Sequence, residues 1–377
     1  MENTRLILFE GLPGTGKSTN SYFSFIQLER NGKAIKWIHE VAWPHPVLFF
    51  SEANLTYDEY DAFLKMYPQS EPIMNHIAIF RNSTVAIDLL ELEWNYLDDI
   101  GEQAFHALQK FDVMTFPLNK YINVALEKWS FFTEKAIENG SGAAILDSGI
   151  FQYQLFTFVL KNAPYSALEQ FIQKLIKIVK PLNPSLVYFY RENVNDTIDF
   201  LENLRGTQFM ESIWERDKAE PYYRDKKKGA EGHKQFLRDY ANIAMRLFEA
   251  VSCRKISIEI TKQDWKTYEE EILSFLGAER MPNPDVLPPD GIFRNASLGM
   301  EIEVQGLSIK DPNGTKRILT PKSENEFYVE CLPVILNFRG LNQMIISGGQ
   351  ICERWTTTGT QFVRVYLVEV NFWIGGI

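Results

Sequence analysis

Hydrophobic and polar positions divide the chain into two regimes. Up to about residue 280, short apolar runs alternate with longer stretches of helical spacing. The runs are Arg5 to Glu10 (RLILFE), Ala34 to His39 (AIKWIH), Ala143 to Asp147 (AAILD), Ser185 to Tyr190 (SLVYFY) and 255–260. The poor alternation of AIKWIH is expected of a strand covered on both faces. Helical spacing marks Lys17 to about Arg30, Tyr57 to Tyr67, Pro117 to Asn139, 150–161, 165–180, 195–204, 231–252 and 264–276. Asn31-Gly32 stops the first of these. Ile77 to Leu92 fits a hairpin or a helix. Strands alternating with helices predict an α/β unit, a parallel sheet with helices on both faces.

The second regime follows a proline-rich linker at 281–290, which carries Pro282, Pro284, Pro288 and Pro289. Residues 291–377 have no convincing helix. Runs such as MEIEV, RIL, EFYVE, VILNF, MIIS and QFVRVYLVEV alternate with turns, Asp311-Pro312-Asn313-Gly314 among them. This predicts a small antiparallel all-β barrel or sandwich. The apolar terminal run VYLVEVNFWIGGI is a final strand or an interface.

Composition narrows the partners. A chain of 377 residues calls for two or three domains. Aromatics at 14% favour large cores and leave room for a flat-ligand pocket. A net charge of −10 argues against a surface that coats a nucleic-acid polymer. Cys253, Cys331 and Cys352 form no CxxC pair, so neither a zinc site nor a disulfide scaffold is indicated. No secretory leader and no apolar run of membrane-spanning length are visible. The expectation is a cytoplasmic protein without a membrane partner.

Gly11-Leu12-Pro13-Gly14-Thr15-Gly16-Lys17-Ser18 fits G-x-x-x-x-G-K-[ST], between a strand and a helix. Glycines let backbone N–H groups turn inward on phosphate oxygens, and the helix start adds partial positive charge. Lys17 is expected on the β- and γ-phosphates and Ser18 on Mg²⁺. Gly11, Gly14, Thr15, Gly16, Lys17, Ser18 and Thr19 are the candidate contacts for ATP or GTP.

LILFEGLPGTGKST resembles the opening of P-loop kinases of the thymidylate-kinase and nucleoside-kinase group. The resemblance covers 1–280. It implies a three-layer α/β/α P-loop fold whose five-stranded parallel sheet runs 2-3-1-4-5, with strands starting near 34, 143, 5, 185 and 255. It also implies a helical acceptor-site insert at 40–142 and a lid at 205–230. The group carries Asp-Arg or Glu-Arg-Ser where this chain has Asp147-Ser148-Gly149, so the arginine is missing. Asp147 is a candidate Mg²⁺ or water ligand, or a turn aspartate. Glu40 resembles the glutamate that takes the acceptor proton in deoxynucleoside kinases, a role useful only for a hydroxyl acceptor; otherwise it is a loop carboxylate. Arg205 and Arg216 are lid candidates for the transferring phosphoryl group, or members of a solvated helix. Trp37, Trp43, Trp94, Phe105 and Trp129 line a pocket or belong to the core. DGIFRN, LSIKDPNGTKRILTPKSENEFYVE and VILNFRG resemble the small β domain appended to some serine hydrolases, without a nucleophile motif upstream. That domain is a stability or homodimer module, or a recognition surface.

The main expectation is an ATP- and Mg²⁺-dependent phosphotransferase acting on a nucleotide, nucleoside or other small hydroxylated molecule. The alternative is a regulatory or degenerate nucleotide binder whose β domain holds a partner.

Overall fold

The computed structural model describes residues 4–140 and 142–366. Its contacts divide it into two units. One runs through Glu40 and from Pro44 to Arg280; the other comprises Val41–Trp43 and the chain from Met281 onward.

The first unit contains strands β1 (Leu6–Gly11), β2 (Ile35–Ile38), β3 (Glu52–Thr56), β4 (Ile79–Phe80), β5 (Thr84–Asp88), β6 (Ala143–Asp147), β7 (Ser185–Tyr190) and β8 (Arg254–Glu259). Five of them make one parallel sheet in the order β2-β6-β1-β7-β8. The central strand β1 is buried at every position, as an apolar run covered on both faces must be. Strand β2 is different. It lies at the sheet edge, with Lys36 exposed and only Trp37 fully buried. Its poor alternation therefore reflects an edge position and not double coverage. Register places Phe9 beside Asp147 and Gly11 beside Phe189, and Ile38 beside Leu146. The carboxyl ends of β1, β2 and β6 thus meet at one edge, where α/β sheets place ligands.

The segment 40–142 is not simply helical. Strands β3, β5 and β4 form a small antiparallel sheet with its own core of Leu55, Phe63, Val85, Ile87 and Leu92. The ambiguous stretch 77–92 resolves into the β4–β5 hairpin and the helix Leu89–Asn95, which Asp88 caps by accepting from the Glu91 N–H at 2.9 Å. Glu52 is held by Arg81 at 2.8 Å and Lys128 at 2.5 Å. Burial opposes its charge, but those two cations outweigh burial and keep its pKa below the usual carboxylate value. Lys128 sits on the helix Leu118–Glu138, whose Tyr121, Val124 and Trp129 belong to the main core, so this ion triad ties the small antiparallel sheet to that core.

The second unit is a closed antiparallel barrel of β9 (Gly291–Asn295), β10 (Met300–Gln305), β11 (Ser308–Lys310), β12 (Lys316–Pro321), β13 (Glu326–Val329), β14 (Val334–Arg339), β15 (Gln343–Gly348) and β16 (Gln361–Val365). Each strand pairs with the next, and β16 returns to β9. Closure decides between barrel and sandwich, and it removes the open edges. Alternate residues such as Phe293, Ile302, Phe327, Leu336 and Phe362 fill the interior. Val41–Trp43 joins this unit, Ala42 bridging to Ile351. Strands β9 and β11 were not expected from the pattern, being short and flanked by turns. The end of the apolar terminal run, beyond Tyr366, lies outside the described residues. No helix among the described residues is long and apolar enough to cross a membrane.

Gly11 shows how closely β1 and β7 approach. A β-carbon there would stand 2.7 Å from the Phe189 carbonyl oxygen and 2.7 Å from Thr15 Oγ1. Gly11→Ala should therefore destabilise the first unit by roughly 1–3 kcal/mol, read as a lower midpoint in denaturant unfolding. An unchanged midpoint would refute this account of the strand–loop junction.

Candidate functional site

The turn after β1 is shaped by two residues in the left-handed region, Gly14 (φ 82°) and Gly16 (φ 78°). Thr15 Oγ1 donates to the Leu12 carbonyl at 2.7 Å and closes the turn from within. Gly16 caps the helix Lys17–Arg30, and no side chain satisfies that helix start. Its first N–H groups have no intrahelical partner by construction. The first turn carries no acidic residue, and Lys17 is buried there. An open helix start with a buried cation is an anion cradle.

A cavity of about 560 Å³ opens over this loop. Gly14, Gly16, Lys17, Ser18, Thr19, Glu40, Arg205 and Arg216 all line it. Residues expected from distant parts of the sequence are thereby brought together. Gly11 and Thr15 lie behind the loop and shape it. Asp147 is fully buried beneath it. Its Oδ1 accepts from Ser148 Oγ at 3.1 Å, the nearby Ser18 hydroxyl favours its charged form, and Oδ2, 4.0 Å from His39 Nε2, is a buried oxygen without a hydrogen-bond partner. An orphaned carboxylate oxygen beside a hydroxyl is a donor set that suits a hard divalent cation such as Mg²⁺. No cluster of three or more His, Cys, Asp or Glu among the described residues could hold a metal by itself.

Three carboxylates share the field of Lys17. Burial and the neighbouring Glu40 charge push the Asp147 pKa up, while Lys17 pulls it down less strongly. For Glu40 burial also opposes charge, but Lys17 and His39 outweigh it and its pKa falls below the usual value. Glu40 is thus the ionised partner of the pair. Gln152 Nε2 donates to Glu40 Oε2 at 2.9 Å and fixes its carboxylate.

The third carboxylate is Glu10, which the sequence reading passed over. It is fully buried in β1. Oε1 accepts from the Ile150 and Phe151 N–H groups at 2.6 and 2.9 Å, and Oε2 from the Gln152 N–H at 3.1 Å. It therefore caps the helix Gln152–Leu160 from another strand. The signal was present, since a lone acid ends an otherwise apolar run. Arg191 was missed too. It follows β7, lines the cavity, and stacks over Phe200 at 5.2 Å. Trp265 lines the cavity and packs on the loop, 2.8 Å from where a Gly16 β-carbon would stand. Only its place just after the last apolar run could have flagged it. His233 lines the cavity while buried, and burial holds its pKa down at about 4. Nothing in the sequence singles it out.

The lid candidates divide. Lys17, Arg191 and Arg205 have no carboxylate oxygen within 4.0 Å among the described residues. Arg216 instead grips Asp217 with two bonds, 2.6 Å from Nε and 2.7 Å from Nη2. Trp37, Phe105 and Trp129 belong to the core. His45 is structural, its Nδ1 accepting from the Val47 and Leu48 N–H groups.

Glu10 provides a pH test. Burial raises its folded pKa from 4.5 to about 7, against the three N–H bonds and Lys17. Stability from its proton is full below pH 4.5 and is lost as pH rises through about 7. Between about pH 5.5 and 8, wild type should lose about 2 kcal/mol relative to Glu10→Gln. Denaturant titrations giving a pH-independent difference would overturn this reading.

No family model matches the chain, and no curated protein matches it, so the reading of the site rests on its geometry.

Proposed function

We propose that the first unit is a P-loop kinase of the thymidylate-kinase and nucleoside-kinase type, transferring the γ-phosphoryl group of ATP to a small acceptor. One observation carries this reading. The uncapped helix start, the buried Lys17 and two unpaired arginines, Arg191 and Arg205, converge on one cavity of about 560 Å³. Two arginines without carboxylate partners, beside a buried lysine, suit a polyanion such as a polyphosphate. The flat face of Trp265 at the same cavity suits a base.

Catalysis in this reading is positioning and charge neutralisation. Backbone N–H groups of the loop and Lys17 bind the β- and γ-phosphates. Ser18 and Asp147 would hold Mg²⁺, which would supply neutralisation of phosphate charge. Glu40, ionised and oriented by Gln152, accepts the proton of an attacking hydroxyl. The acceptor oxygen forms the new bond to the γ-phosphorus, and the bond from that phosphorus to the bridging oxygen breaks with its electron pair leaving on ADP.

A nucleotide binder without turnover is the second reading. The observation that favours it is Ser148-Gly149 after Asp147, where the resembled group carries an arginine.

Three variants separate these readings. Lys17→Ala should weaken ATP–Mg²⁺ binding and abolish transfer; unchanged affinity in calorimetry would remove the phosphate-loop assignment. Glu40→Gln should lower turnover by on the order of 10²–10⁴ with ATP affinity nearly intact, if the acceptor group is a hydroxyl. Asp147→Asn should shift the Mg²⁺ dependence of turnover. Tight ATP binding with no phosphoryl transfer to any acceptor would select the second reading.

A further inference from the structure

A second cavity of about 520 Å³ shares Gln152, Phe156 and Arg216 with the first. Its walls are aromatic and apolar: Phe116, Tyr121, Tyr153 and Phe156, with Met114 and Leu160. The charged residues lining it are Lys161, Arg216, Asp217 and Glu220. They are already matched. Arg216 is bonded twice to Asp217, and Lys161 lies 3.6 Å from Glu220. Two cations and two carboxylates leave the lining without net charge.

We propose that this second cavity takes a neutral, flat, hydroxyl-bearing acceptor, and that the Arg216–Asp217 and Lys161–Glu220 pairs exclude phosphorylated ones. The proposal rests on the kinase reading of the adjoining cavity. The contrast between the two cavities carries it. The first holds Arg191 and Arg205, neither with a carboxylate partner. The second offers a cation only if an existing pair is broken. A phosphate monoester brings nearly two negative charges. Here it would meet two carboxylates and no cation that is not already paired with one. His233, which faces Arg216 and Asp217 from the helix Gly229–Ala250, is held neutral by burial and supplies no third cation. A neutral aromatic ligand meets the opposite conditions. Its faces pack on Phe116 and Phe156, and its polar edge finds Gln152 Oε1, a buried oxygen without a hydrogen-bond partner. Gln152 also holds Glu40, so the residue that accepts a ligand hydrogen bond is the one that orients the base.

The test uses the full chain and matched pairs: adenosine and its 5′-monophosphate, thymidine and its 5′-monophosphate, pyridoxine and pyridoxine phosphate, riboflavin and its phosphate. Each is titrated calorimetrically with and without a non-hydrolysable ATP analogue and Mg²⁺. The analogue titration alone reports on the kinase reading, so its failure is distinct from failure of the acceptor assignment. At least one neutral member should bind about tenfold or more tighter than its ester. An ester bound as tightly as its neutral partner in the best pair overturns the proposal. So does a panel in which no neutral member binds below about 1 mM. Asp217→Asn frees Arg216 and should narrow or reverse the preference. Glu220→Gln frees Lys161 at a more exposed position and serves if the first variant fails to fold. A folded variant that keeps the wild-type ratio shows that charge pairing does not set the preference.

Discussion

The candidate site depends on one buried ammonium group. Lys17 is almost wholly removed from water, and Glu10 and Asp147 are removed completely. Burying two carboxylates at the ends of neighbouring strands, β1 and β6, is costly unless a cation shares the space. Lys17 lowers the pKa of Glu10, Glu40 and Asp147 together. Its backbone position is fixed by the turn before it, where Gly14 and Gly16 take conformations that other residues adopt only with strain. The electrostatics of the site therefore begin with loop geometry.

Glu10 carries that geometry to the other side of the sheet edge. Its carboxylate sits on β1, directly before the loop, and takes the N–H groups of Ile150, Phe151 and Gln152. Gln152 starts the helix that forms one wall of both cavities, and its side chain holds Glu40. One buried carboxylate thus links the loop, Glu40 and the helix that walls both cavities through hydrogen bonds. In the proposed kinase this is the kind of supporting contact that keeps reacting groups in register.

The elements were legible where local pattern and tertiary role agree. Apolar runs such as SLVYFY become the buried strand β7, with the same ends, and Gly11 to Ser18 could be recognised from spacing alone because its backbone demands glycine. Edge strands and the insert were less legible. Strand β2 is short and half-covered, and β4 has two exposed residues, so neither alternates cleanly. Other cavity residues were illegible for a different reason. Arg191, Gln152 and His233 are separated in sequence by long intervals, and only the fold places them on one wall. Glu10 could have been found, because a charged residue at the end of a fully apolar strand needs a partner.

Arg205 and Arg216 show the limit most sharply. Both lie in the same polar stretch and both line the same cavity, so residue type and spacing give them one role. Their neighbours give them different ones. Arg205 stacks over Phe209 at 4.8 Å and keeps its donors free of carboxylates. Arg216 spends its planar fork on Asp217. A guanidinium already bonded twice offers an incoming phosphate far less than its formal charge suggests. What an arginine can bind is decided by the carboxylate beside it, and for Arg216 that carboxylate is the next residue in the chain.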